Sequence, residues 1–136
     1  MAYFEWSEDL SVNETEIDDQ HKILIGIIND LHNSIQVGFD REDIDKILTR
    51  LILYVQVHFD TEEHYMAQYT YLDEVEHKKE HFALTVKVGE LYRKQLEGQP
   101  SVAFEIMDFL KTWLTDHILK IDKKFGAYLS NHGRLP

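Results

Sequence analysis

His58-Phe59-Asp60-Thr61-Glu62 and His77-Lys78-Lys79-Glu80-His81 each place two side chains with donor atoms four positions apart. Four residues is one turn of an α-helix, so each pair lies on one helix face. Ile44, Ile47, Leu48, Leu51 and Val55 lead into His58 and Glu62 at three/four spacing. Leu84, Val88 and Leu91 continue in phase from His77 and His81. Both pairs therefore interrupt apolar stripes that their helices would bury. An unpartnered carboxylate there would carry a heavy desolvation cost, so these residues call for a partner inside the fold.

Working outward, the only prolines are Pro100 and Pro136, which permits long helices before residue 99. Leu24, Ile27, Ile28, Leu31 and Ile35 mark a first helix over about 18–37, with Asp18 or Asp19 as cap and Gly38 as terminator. A second helix over about 41–68 follows Asp40 as its cap, and a third over about 71–97 stops at Gly98. Gly98-Gln99-Pro100-Ser101 is the clearest turn, and Ser101 caps a fourth helix over about 102–129, through Ala103, Ile106, Leu110, Trp113 and His117. Short connections make neighbours antiparallel. The expected fold is all-α, an antiparallel up-down-up-down four-helix bundle. Residues 1–17 form an irregular N-terminal arm whose Phe4, Trp6, Leu10 and Val12 need the bundle as a surface to cover.

Composition narrows the partners. At 136 residues the chain is expected to be one domain. Its 43% hydrophobic and 29% charged residues are a globular balance, not that of a disordered chain. With 14 basic against 25 acidic residues the formal charge is -11, and no basic cluster exceeds a lysine pair. Nucleic acid and anionic membrane surfaces are excluded as expected partners. There is no cysteine, which removes disulfides, thiolate catalysis, cysteine-ligated zinc and iron–sulfur clusters. No apolar run is long enough to insert in a membrane, and the acidic start does not read as a signal peptide, so a cytoplasmic protein is expected. No obvious exposed apolar stripe demands a dimer, so a monomer is expected.

One histidine on an apolar stripe is ordinarily a satisfied core residue. Here all four helices send an imidazole inward: His21, His58, His77 with His81, and His117. His21 and the His77/His81 pair lie near helix starts, while His58 and His117 lie late in theirs. An up-down bundle brings such positions to one level. Five imidazoles with Glu62 point to a metal site, and to more ligands than a closed tetrahedral zinc requires. Asp122 is less clear, because five residues beyond His117 an ideal helix has turned by about 140°. It is a solvated acid, or it reaches in from the stripe's edge, or the helix widens there as a π-bulge. His32, His64 and His132 are not assigned to the metal.

The order His21, His58-x-x-x-Glu62, His77-x-x-x-His81 and His117-x-x-x-x-Asp122 resembles the hemerythrins, and more closely the single-domain bacterial hemerythrins. Ile17-Asp18-Asp19-Gln20-His21-Lys22, His58-Phe59 with Glu62-Glu63, and Trp113-Leu114-x-x-His117-Ile118 extend the likeness over nearly the whole chain. The resemblance implies a single hemerythrin-like domain over 1–136. His77, His81 and His117 would hold one iron, His21 and His58 a second, and Glu62 and Asp122 would bridge both. Two departures stand out. Asn13-Glu14 occupies a place where a smaller, glycine-containing stretch is expected, and Phe125 one where tyrosine is common.

The resemblance further implies a non-haem di-iron centre with a bridging oxo or hydroxo group and molecular oxygen as its reversible ligand. Two octahedral irons offer about twelve positions, and the bridges and histidines fill all but one, on the iron with two histidines. Phe59, Trp113, Leu114 and Ile118, adjacent in sequence to ligands, are the candidates for an apolar oxygen pocket. Gln20, Glu63 and Asp18-Asp19 are candidates to orient the imidazoles. The expected role is storage, delivery or carriage of oxygen by a protein that is not an enzyme. Delivery would call for an oxygen-consuming enzyme as partner. An oxygen- or redox-sensing module is one alternative. A di-iron oxidase or peroxide-handling enzyme is another, although ferritin-like bundles use Glu-x-x-His motifs and more carboxylates.

Overall fold

The computed structural model describes residues 3–38, 41–98 and 102–131, with the backbone alone at 102 and 103. A 3-10 turn at Glu8–Leu10 precedes α1 (Thr15–Gln36), α2 (Arg41–Gln68), α3 (Glu74–Leu96) and α4 (Val102–His117). A π-helical segment, Ile118–Asp122, joins α4 to α5 (Lys123–Asn131), so α4, the π segment and α5 form one interrupted rod. α1 packs on α2 and α4, and α3 packs on the same two, which closes the antiparallel four-helix bundle. No described helix is long and apolar enough to cross a membrane.

Two helix starts differ from expectation. α1 begins at Thr15, ahead of Asp18, because Asp18 is engaged elsewhere. Its carboxylate accepts from Ser11 Oγ at 2.6 Å and from the Val12 amide at 2.9 Å, fastening the arm rather than capping the helix. Asn13 between them sits at φ 61°, a left-handed conformation that asparagine tolerates better than most non-glycine residues. An asparagine therefore serves where a glycine was expected. α3 begins at Glu74 because Tyr71 is drawn into the core, its ring 4.8 Å from Phe125 and 4.9 Å from Tyr128. Tyr128 Oη also donates to the carbonyls of Tyr69 and Thr70, closing the turn that ends α2.

Gly38 and Gly98, at φ 85° and 83°, terminate α1 and α3 as their positions suggested. The expected caps Asp40 and Ser101 lie outside the described residues. The arm covers the bundle with Phe4, Leu10 and Val12 buried, while Trp6 is partly buried beneath Lys22 Nζ. Its backbone is held at Phe4, whose N–H donates to Asn29 Oδ1 and whose carbonyl accepts from Asn29 Nδ2, both at 2.8 Å.

Candidate metal centre

Helix periodicity carries the donors to one level. His21 lies two turns into α1, His58 and Glu62 late in α2, His77 and His81 early in α3, and His117 ends α4. All are buried, as is Asp122. The π segment resolves the position of Asp122. Its wider turn returns the carboxylate to the face of His117, leaving Asp122 Oδ1 3.0 Å from His117 Nε2.

From that point Asp122 reaches three helices. Oδ1 lies 3.0 Å from His77 Nε2, and Oδ2 lies 2.9 Å from His21 Nε2. Glu62 Oε1 lies 3.1 Å from His81 Nε2, 3.5 Å from His58 Nε2 and 3.6 Å from His77 Nε2. The donors fall into two overlapping groups whose ligand atoms lie within 4.8 Å of one another. One holds Glu62, His77, His81, His117 and Asp122; the other holds His21, His58, Glu62 and Asp122. Only the two carboxylates belong to both.

Of these contacts, that of His81 Nε2 with Glu62 Oε1 is a hydrogen bond; the others are close but poorly aligned for one. Nε2 of His21, His58, His77 and His117, both Asp122 oxygens and Glu62 Oε2 are buried without a hydrogen-bond partner. Leaving so many polar atoms unpaired in a core would be heavily destabilising. Donors near 3 Å apart match neighbouring ligands on an ion about 2.1 Å from each. Imidazole and carboxylate together suit a first-row transition metal. The cluster is therefore able to hold metal ions.

The outer nitrogens of two imidazoles are fixed by side chains near in sequence to the donors. Gln20 Oε1 lies 2.7 Å from His58 Nδ1, and Gln20 Nε2 donates to Thr61 Oγ1 at 3.0 Å. Glu63 Oε2 lies 2.9 Å from His81 Nδ1. Asp18 takes no such role, being turned to the arm. Glu80, which the sequence reading passed over, brings Oε1 within 3.9 Å of His117 Nδ1. Its signal was its place in α3, within the same turn as His77 and His81.

Without metal the charges divide unevenly. Burial lowers the His58 pKa to about 4 despite the attraction of Glu62. Burial also disfavours a charged His77, yet its contacts with Asp122 and Glu62 prevail and raise it to about 9. His117 is raised likewise: burial opposes its charge, and the Asp122 carboxylate outweighs burial. Burial, and for Glu62 repulsion by Asp122, push the carboxylates up, but the imidazoles around them win. Glu62 is held at about 2 and Asp122 well below the ordinary range.

Beside the donors lies a narrow apolar cavity, with about 10 Å³ open to the centre of a water-sized molecule. That is about one water position. Its walls include Phe59, Trp113 and Leu114, together with His58 and His117. The Phe59 ring stacks on His81 at 3.7 Å, and Trp113 stacks on His117 at 4.4 Å. Ile118 is fully buried but is not one of the walls; it opens the π-helical segment that follows His117. Leu24, Val55 and Leu84 are walls that adjacency missed. Each lies three residues from a donor, on the same helix face.

His32 stacks on Tyr3 of the arm at 4.6 Å, and His64 is exposed beside Tyr65, so neither approaches the cluster. His132 lies outside the described residues.

The hemerythrin HHE cation binding domain matches residues 13–129. A bacteriohemerythrin of Methylococcus capsulatus is 37% identical, aligned over 96% of this chain and 99% of its own. One of Pseudomonas aeruginosa (strain LESB58) is 34% identical over 90% of this chain and 78% of its own. The crystal structure of a wild-type hemerythrin superposes with a TM-score of 0.88 at 36% identity, covering 95% of this chain and 99% of that one. A sequence match spanning nearly the whole bundle, joined to the same fold in a solved hemerythrin, places this chain in the hemerythrin family.

Proposed function

We propose that this chain binds molecular oxygen reversibly, with two iron ions held by its seven buried donors. His77, His81 and His117 would serve one ion, His21 and His58 the other, and Glu62 and Asp122 both. When bound, the ion pair supplies two reducing equivalents and an open position for a small ligand. The observation that carries this reading is the unequal division of donors, five in one group and four in the other, with an apolar cavity against His58 of the smaller group and His117 of the larger. With one further shared bridge on six-coordinate ions, the larger group is complete and the smaller lacks one ligand.

The surrounding residues suit reversible uptake. Phe59, Trp113 and Leu114 leave little room for water beside His58, which limits hydrolytic and protonic side reactions. Gln20 and Glu63 hold the outer nitrogens of His58 and His81, so those rings keep their inner nitrogens on the cluster. Imidazoles outnumber carboxylates five to two, which lowers the anionic charge available for cleaving an oxygen–oxygen bond. Carriage or storage is favoured over oxidase chemistry on that ground.

The test is an absorption spectrum of the reduced, iron-loaded protein before air, after air and after argon. A visible ligand-to-iron charge-transfer band should appear with air and fade under argon. Immediate irreversible oxidation without that band would refute carriage and favour redox sensing or an oxidase.

A further inference from the structure

Among the described residues, Val55 is the one that lines both the buried cavity beside His58 and an open groove on the outer surface of the bundle. The groove runs between α2 and α3, encloses about 480 Å³, and is lined by Ile52, Leu53, Val88 and Gly89 among others. Its threonines are turned back onto the helices: Thr49 Oγ1 donates to the Asp45 carbonyl and Thr85 Oγ1 to the His81 carbonyl, both at 2.9 Å. At 9% exposure, Val55 is the most exposed of the buried apolar core.

A second surface depression, of about 380 Å³, adjoins the cavity on the α3–α4 side. Two features count against it. Glu80, Asp116 and Lys120 line part of it, so charged groups stand at its mouth, whereas the α2–α3 groove has none among its lining residues. It is also separated from the cavity by the Trp113 indole lying face to face on His117 at 14°. Moving that indole would break the stack over a buried donor. Moving Val55 displaces one small side chain at the edge of the core and breaks no stack over a buried donor.

We infer that a small neutral gas enters and leaves the cavity through the α2–α3 groove, with Val55 as the partition. The inference rests on the proposed oxygen binding for its ligand, but the route can be tested apart from it. A residue on the path alters the barrier for entry and exit equally, so both rates change by one factor while the affinity stays fixed. Gly89 offers the cleanest probe. A side chain there meets nothing within 4 Å of its Cβ, and it stands on the groove side only.

Stopped-flow mixing of the reduced, iron-loaded protein with oxygen, and release into an oxygen trap, would compare three variants. Gly89→Phe, filling the groove, should slow association and dissociation together by about tenfold. Val55→Ala should accelerate both. Thr112→Phe, filling the α3–α4 depression, should leave both unchanged. Slowing by Thr112→Phe rather than Gly89→Phe, or indifference to Gly89→Phe, would overturn the route. If the wild-type protein gives no reversible oxygen spectrum, the functional reading fails. Nitric oxide association with the same ferrous protein then decides the route by the same comparison. Crystals pressurised with krypton supply a readout independent of ligand chemistry. Krypton should lie in the groove against Val55, and krypton confined to the α3–α4 depression would count against the proposal.

Discussion

Gln20 Oε1 lies 2.7 Å from Nδ1 of His58, on the neighbouring helix. The amide is oriented by its other end, which donates to Thr61, so the oxygen faces the imidazole. His58 must then carry its proton on Nδ1 and turn the lone pair of Nε2 toward Glu62. Gln20→Leu removes that preference. Affinity for the metal beside His58 should fall by about 10- to 100-fold. Titration of the loaded protein with a chelator should release this metal first and leave about half the iron at intermediate concentrations. Release of both metals together would show that the contact does not tune His58.

The π segment makes a prediction about length. Deleting the exposed Leu119 would turn His117-x-x-x-x-Asp122 into a four-residue spacing, which an ordinary α-helix places on one face. The variant should bind metal at the wild-type stoichiometry. Inserting one alanine after Leu119 should swing the carboxylate by about 100° and abolish binding. Iron per chain, measured with a colorimetric chelator, checks both.

Gly126 is packed against the arm. A Cβ there would stand 2.1 Å from the Val12 carbonyl oxygen, too close for either backbone to remain in place. Gly126→Ala should therefore destabilise the fold by about 1–3 kcal/mol. Thermal melting would show the loss, and Trp6 fluorescence would shift toward that of an exposed indole if the arm is what detaches.

Metal loading should expel protons. In the metal-free protein the His77 pKa is raised to about 9, so its imidazole is charged at pH 7, whereas a metal ligand must be neutral. Loading at pH 7 in weak buffer should acidify the solution, and affinity should climb as pH rises toward 9. Stability follows the same shift. A raised folded-state pKa contributes fully below the unfolded value near 6.5 and is lost as pH rises through about 9. His58, lowered to about 4, is neutral in both states above 6.5 and leaves that window to His77 and the similarly raised His117. Differential scanning calorimetry should find the metal-free protein melting a few degrees lower at pH 9 than at pH 6.5. The loaded protein should lack this fall.

The sequence alone determined the bundle and the register of its donors. Helical periodicity is a local property: three/four spacing fixes which residues share a face, and His58 with Glu62 or His77 with His81 needs no knowledge of other helices. The terminators Gly38 and Gly98 were legible for the same reason, since a left-handed residue ends a helix whatever lies beyond it. Other features depended on partners distant in the chain. Asp18 serves the arm instead of α1 because Ser11 and Val12 fold back onto it, and Tyr71 is drawn into the core by Phe125 and Tyr128. The cavity walls Leu24, Val55 and Leu84 come from three helices, and their meeting point exists only after those helices pack. Asp122 stood between the two cases. Its five-residue distance from His117 allowed an α-helical or a widened turn, and the structure takes the π turn that brings its carboxylate to His21, His77 and His117 together.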